Sequence, residues 1–297
     1  MTRGEVPKWS QRARLESGLG PNQPHVGSNP TLSAIHPVGG PFCNSRVMSK
    51  PSSKPDLRIV SDLEELERAG AGEFARLARG AGPKRPFTVA LSGGTTPRGA
   101  YTRLTQAPYR DLVPWPALQF FWGDERHVPP DHPDSNYRMG LETLLSKVPV
   151  PPGNVHRIPA ESPDAAAAAS AYESTLKSYF GLKEGQAPRF DLILLGLGAD
   201  GHVASLFPGS EALREPRRLV TAPWVEPVRA RRITLTPPVI RNAASLIVLV
   251  SGDAKAEALR RALAPEGSLD ECPARLLQEA RGRVVVIADR GAAHLVR

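Results

Sequence analysis

The chain has 297 residues, 40% hydrophobic and 23% charged, with 31 prolines, 26 glycines and two cysteines. That is enough apolar sequence for one large core. It has too few cysteines for a disulfide scaffold or metal knuckle, and no apolar run near the roughly 20 residues that a bilayer-crossing helix needs. The net charge of +8 leaves an anionic partner open, nucleic acid included.

The charge is unevenly placed. Residues 1–47 hold five Lys/Arg against two acids (Glu5 and Glu16), in a stretch rich in Gly, Pro, Asn and Ser without apolar periodicity, a signal-peptide core or a transit-peptide helix. It reads as a disordered arm or as a non-native extension. Gly27-Ser28-Asn29-Pro30 can be encoded by GGTTCGAATCC, which resembles the T-arm of a transfer-RNA gene, and on that reading Met48 is the start of a single domain spanning 48–297. Cys43 and Cys272 have no cysteine neighbours, and such sparse thiol usage fits a reducing cytoplasm.

Ser61 with Glu64 has the form of a capping box, and Leu63, Leu66, Phe74 and Leu77 follow at helical spacing, predicting a helix over 62–79. Near-continuous apolar runs at 87–91, 118–122, 190–195, 245–250 and 284–288 read as strands buried on both faces. Helical segments fall between them at 98–106, 136–146, 164–181 and 254–263. This alternation predicts a doubly wound, mostly parallel α/β sheet, with chemistry sought just beyond the carboxyl ends of the strands.

Four strand ends carry polar residues. Ser92-Gly93-Gly94-Thr95-Thr96-Pro97 suits an anion cradle, with Pro97 at a helix N1 position. An ordinary tight turn capped by Thr95 or Thr96 reads equally well, and the Gly-Lys-Ser/Thr ending of a Walker loop is missing. Asp124-Glu125-Arg126-His127 follows an aromatic strand, where such groups need each other or a ligand. Arg126 can grip a phosphate or carboxylate bidentately, or Asp124 and Arg126 can simply pair. The next polar stretch, Asp131 to Tyr137, reads as a loop and helix cap.

Gly196, Gly198 and Gly201 satisfy G-x-G-x-x-G after a strand. However, Asp200 would put a negative charge inside a pyrophosphate loop, and no long amphipathic helix follows. The alternative is that the glycines bring the backbone close to a small substrate and present Asp200 and His202, an imidazole beside a carboxylate and so a candidate general base. Lys255, early in its helix, opposes the dipole unless an anion lies nearby; a solvated lysine beside Asp253 or Glu257 is the plainer reading.

Taken together these motifs resemble the 6-phosphogluconolactonases. The likeness runs from about residue 57 to 295 and rests on Ser92 to Pro97, Trp122 to Arg126 with Asp134 to Tyr137, and Gly196 to Pro208. Arg232 to Thr236, Ser251-Gly252 with Lys255-Ala256, Pro273-Ala274, and Asp289 with Ala292 add to it. The resemblance implies a Rossmann-like sheet with helices on both faces, shared with glucosamine-6-phosphate deaminases and ribose-5-phosphate isomerases. It also implies hydrolysis of 6-phospho-D-glucono-1,5-lactone to 6-phosphogluconate in the oxidative pentose phosphate pathway, without metal or cofactor. His202 becomes the base that activates water, with Asp200 orienting it. The substrate phosphate lies among Ser92, Gly93, Gly94, Thr95, Arg126 and Lys255, with Asp124 in the site and Arg232 at its margin. The expected partner is a small phosphorylated sugar lactone, not nucleic acid or a membrane; the oligomeric state stays open, with a monomer as the default. Val203 departs from the family, which usually has Thr after the histidine. Two rivals share the fold: a glucosamine-6-phosphate deaminase, and a non-catalytic sugar-phosphate sensor of the kind attached to DNA-binding domains. The Asp-Glu-Arg with Ser-Asn-Tyr pattern resembles the lactonase side, and residues 1–60 show no helix-turn-helix pattern.

Overall fold

Strand and helix alternate as the apolar runs predict, in a computed structural model that describes residues 54–296. The reading of residues 1–47 lies outside the described residues. In chain order β1 (Asp56–Val60), α1 (Leu63–Ala78), β2 (Phe87–Leu91), α2 (Thr95–Leu104), α3 (Tyr109–Leu112), β3 (Leu118–Trp122), β4 (Asp124–Arg126), α4 (Asn136–Thr143) and α5 (Ala165–Phe180) form the first half. Then come β5 (Leu192–Gly196), β6 (Val220–Thr221), β7 (Trp224–Val225), β8 (Ala230–Leu235), α6 (Pro237–Asn242), β9 (Ser245–Val250), α7 (Ala256–Leu263), β10 (Arg283–Asp289) and α8 (Arg290–Ala293).

Six strands form one sheet in the order β1-β10-β9-β5-β2-β3, every neighbour parallel. The chain steps from β2 outward to β3 and then returns to place β5 on the other side of β2. The strand order therefore reverses between β2 and β5, where an open α/β sheet leaves a crevice for a ligand.

Register shows which helices cover which face. Phe121, Ala90, Ile193 and Leu246 are aligned partners and so point to one side, whereas Leu249, three residues beyond Leu246, points to the other. Phe121 is fully buried against Tyr179 and Phe180 of α5 and against Phe190. A Cβ on Gly70 of α1 would meet Leu249 at 3.1 Å and Ala100 of α2 at 3.5 Å, so α1 and α2 pack on the opposite face. Each large apolar side chain buried this way contributes about 1.5–3 kcal/mol, and the strands are buried on both faces for that reason.

Several local expectations shift. Helix α1 is capped by Asp62, which accepts from the Glu65 N–H at 2.9 Å, while Glu65 accepts from the Ser61 N–H at 2.7 Å; the reciprocal cap sits one residue later than Ser61 with Glu64. Strand β5 starts at Leu192 because the Asp191 carboxylate takes the Thr88 N–H (2.9 Å) that a longer ladder would use. Helix α2 starts at Thr95 with Gly94 at its N-cap, so Pro97 is the third helical residue and not the first. A second, antiparallel sheet joins β4, β8 and β6, with β7 pairing β8. Gly123 is the hinge, donating to Leu91 O at 2.8 Å in the first sheet and accepting from the Leu235 N–H at 2.9 Å in the second.

Two buried tyrosines finish the strand ends. The Tyr101 hydroxyl accepts from the Ser92 N–H and donates to Ser92 O, both at 3.0 Å. Tyr172 does the same for Trp122, at 2.9 and 3.0 Å. Burial pushes both phenols far above the ordinary tyrosine range. Tyr172→Phe is expected to lower unfolding free energy by about 1–3 kcal/mol, because it strands a buried N–H and C=O; urea unfolding followed by circular dichroism checks this.

Candidate active site

The crevice between the ends of β2 and β5 is a cavity of about 210 Å³. Ser92, Gly93, Gly94, Thr95, Asp124, Arg126, His202 and Lys255 all line it, so residues up to 163 positions apart in sequence converge as expected. Asp200 stands behind His202 and Arg232 beside Arg126, and neither is part of the lining. The lining also includes Asn136 and Ser251.

Asp200 and His202 leave β5 on a turn in which the Gly198 N–H donates to His202 O at 2.8 Å and the Gly201 N–H to Gly198 O at 3.0 Å. Gly201 has φ +94°, and a Cβ on Gly198 would lie 2.1 Å from His202 Nδ1. Glycine at 198 thus gives the pair its room. Asp200 Oδ1 meets His202 Nδ1 at 2.6 Å and the His202 N–H at 3.1 Å. With Nδ1–H directed at the carboxylate, Nε2 is left as the acceptor nitrogen. Phe207 stacks on the imidazole, centroids 4.1 Å apart, fixing the ring plane. Burial opposes ionisation of Asp200, but hydrogen bonds and charge from His202 outweigh it and hold the carboxyl below its usual range.

On β4 alternate residues take opposite roles. Asp124, buried, accepts from Ser205 Oγ at 2.7 Å, and Asn136 Nδ2 donates to its carbonyl at 2.9 Å and its carboxylate at 3.3 Å. Glu125 turns away from the cavity into protein. Asp124 and Arg126 do not pair; Arg126 donates to Asp134 O at 2.7 Å. Its cross-strand neighbour on β8 is Arg232, and partial burial, followed by the Arg126 charge, pulls the Arg232 pKa below its ordinary value. Among the described residues neither arginine nor Lys255 forms an ion pair with a carboxylate, so the pairing of Lys255 with Asp253 or Glu257 is not seen. Like charges side by side are unfavourable until an anion joins them. The Ser92 hydroxyl, buried at the cavity wall, has no partner among the described residues. The N–H groups of Thr95 and Thr96 lie in the first turn of α2, where no earlier carbonyl can take them. The cavity therefore offers anion donors on one side and a carboxylate-backed imidazole on the other.

Comparison with known proteins shows the family of the chain. The family described as glucosamine-6-phosphate isomerases/6-phosphogluconolactonase matches residues 61–286. The chain belongs to this family. A 6-phosphogluconolactonase of Synechocystis is 40% identical over 232 residues, covering 78% of this chain and 94% of that protein. The solved 6-phosphogluconolactonase of Trypanosoma brucei superposes with a TM-score of 0.76 at 34% identity, covering 83% of this chain and 100% of that one. A monomeric glucosamine-6-phosphate deaminase shares the fold, with a TM-score of 0.69 at 23% identity over 81% of this chain and 99% of that one.

Val203, expected from the resemblance to depart from the family, is not part of the cavity lining: it is fully buried in the core and bridges Leu206. From sequence, Asn136 stands in a loop and cap and in the Ser-Asn-Tyr pattern of the resemblance, and Ser251 in its Ser-Gly motif, but neither is assigned a place in the site. The signal for Asn136 was its place directly after Ser135, the N-cap of α4. Ser251 and Gly252 are held by Asp289 at the end of β10, which accepts from the Ser251 hydroxyl and from the N–H groups of Gly252 (3.0 Å) and Ala292 (2.7 Å). Burial opposes the Asp289 charge, but these donors prevail and its pKa falls. A carboxyl lowered by folding adds stability above the unfolded value, about 3.9, and loses it as pH drops through the lower folded value. Asp289→Asn should therefore be about 1–3 kcal/mol less stable than wild type at pH 7, with the gap narrowing as pH falls below the unfolded value; urea unfolding across an acid pH series measures it.

Proposed function

We propose that this protein hydrolyses 6-phospho-D-glucono-1,5-lactone to 6-phosphogluconate, as the named function of its lactonase relatives suggests. The observation that carries this reading is a single cavity lined by His202, with Asp200 behind it, and by Arg126, Lys255 and the first turn of α2. His202 Nε2 takes a proton from water as the water oxygen bonds to the lactone carbonyl carbon. The resulting oxyanion is met by N–H groups of the glycine-bounded loops. The ring C–O bond then breaks, and the ring oxygen leaves as a hydroxyl with the proton from the imidazolium. Asp200 keeps the ring in the tautomer with Nε2 free and stabilises its charged form. The substrate phosphate lies among Ser92 to Thr95, Arg126 and Lys255, with Arg232 adding charge from behind. A lactone is an activated ester, so His202 and water suffice. We take a monomer as the working unit, in the cytoplasm and without nucleic acid or a membrane. Residues 48–297 are the unit we assign the activity.

A coupled lactonase assay, corrected for spontaneous hydrolysis, tests this on the full chain and on a version begun at Met48, with equal turnover expected. His202→Ala should lose about 10²–10⁴-fold in kcat with KM held; unchanged kcat removes the base. Lys255→Ala should mainly raise KM, and an unaltered KM takes it out of the phosphate site. Ammonia release from glucosamine 6-phosphate, with no lactone turnover, would replace the reading with a deaminase.

A further inference from the structure

Glu125 stands between two residues of the cavity wall and touches no part of the cavity itself. It is 2% exposed, on a strand of three residues, and among the described residues forms no ion pair with a basic side chain. Its carboxylate is saturated by four donors from the protein. Oε1 accepts from the N–H groups of Arg126 (2.8 Å) and Asn136 (2.7 Å). Oε2 accepts from Ser135 Oγ (3.1 Å) and the Tyr137 N–H (2.8 Å). Three of the four are backbone groups, two of them in the first turn of α4, where a negative charge is favourable. A buried carboxylate held only by neutral donors is costly compared with an apolar side chain, so its presence calls for a task.

The bonds give that task. They fasten the turn 135–137 to β4, and Asn136 leaves this turn toward the cavity. Its amide Nδ2 donates to Asp124, and its other end lies so close to the β2–α2 loop that a Cβ on Gly93 would fall 1.8 Å from Oδ1. One carboxylate thus sets the spacing of Asp124, Arg126, Asn136 and the Gly93-Gly94 loop. We propose that Glu125 is a positioning residue for phosphate binding, acting through Asn136 and the backbone of Arg126, an inference that rests on the lactonase reading above. A glutamine cannot replace it. Whichever way its amide is turned, the NH₂ faces at least one backbone N–H, of Asn136 and Arg126 on one side or of Tyr137 on the other, and the turn must move.

The test is a double-mutant cycle on the full chain with the lactone as substrate. Glu125→Gln and Asn136→Ala should each raise KM about tenfold with kcat within threefold. Because Glu125 acts through Asn136, the double variant should stay near the single-variant KM and not reach the hundredfold of independent effects. A Glu125→Gln KM equal to wild type overturns the inference, as does a multiplicative double variant. Loss of active fraction with KM unchanged would mean a merely structural role and also overturns it. If Glu125→Gln does not fold, Glu125→Asp, which keeps both acceptors one methylene short, carries the same KM test. Wild-type turnover of the lactone is measured first: its absence refutes the functional reading, whereas its presence with an unmoved Glu125→Gln KM refutes only this inference.

Discussion

Parallel strands that stop together leave a row of backbone N–H and C=O groups with no further ladder to pair them, and the cavity is built from the ways this chain satisfies that row. Tyr101 closes Ser92, Tyr172 closes Trp122, Asp289 gathers Ser251, Gly252 and Ala292, and Glu125 gathers the turn beyond β4. Each uses a polar side chain buried among apolar ones, a position that is costly unless every donor and acceptor is met. Because they are met, the four loops that line the cavity inherit the rigidity of the sheet. Among the described residues Ser92 Oγ and Trp122 Nε1 are buried at this edge without a protein partner, and of the two residues only Ser92 lines the cavity.

The two sheets divide the chemistry. The parallel sheet supplies the imidazole from the end of β5 and the open first turn of α2 from the end of β2. The antiparallel sheet supplies Asp124 and Arg126 on one strand and Arg232 on the next. Gly123 belongs to both by its backbone bonds, so the distance between the imidazole and the arginines depends on one hinge.

Much of the parallel sheet was legible because strands buried on both faces are written as unbroken apolar runs: 87–91, 118–122 and 245–250 coincide with β2, β3 and β9. The strand ends were legible too, since glycines and charged residues directly after such runs have few other reasons to be there. The antiparallel sheet was not. Its strands are two to six residues long, and β4 reads as a charged cluster because the partners that bury Asp124 and Glu125, the 135–137 turn and Ser205, lie outside any local pattern. Asn136 was hidden for a similar reason: its role depends on Gly93 and Asp124 arriving beside it, which no local pattern encodes. The cap at Asp62 shows the remaining limit, as two acceptors one residue apart differ only in backbone angle.

Arg126 and Arg232, cross-strand partners on β4 and β8, carry like charges that disfavour each other, and this reaches beyond substrate. With the phosphate site as proposed, any small dianion in the medium, inorganic phosphate and sulfate included, would compete for the same place and relieve the repulsion. Occupancy a hundredfold above its dissociation constant would stabilise the fold by about 2.7 kcal/mol. The buffer ion is then a ligand: thermal stability would rise and apparent substrate affinity would fall in phosphate relative to a buffer of large monovalent ions at equal ionic strength.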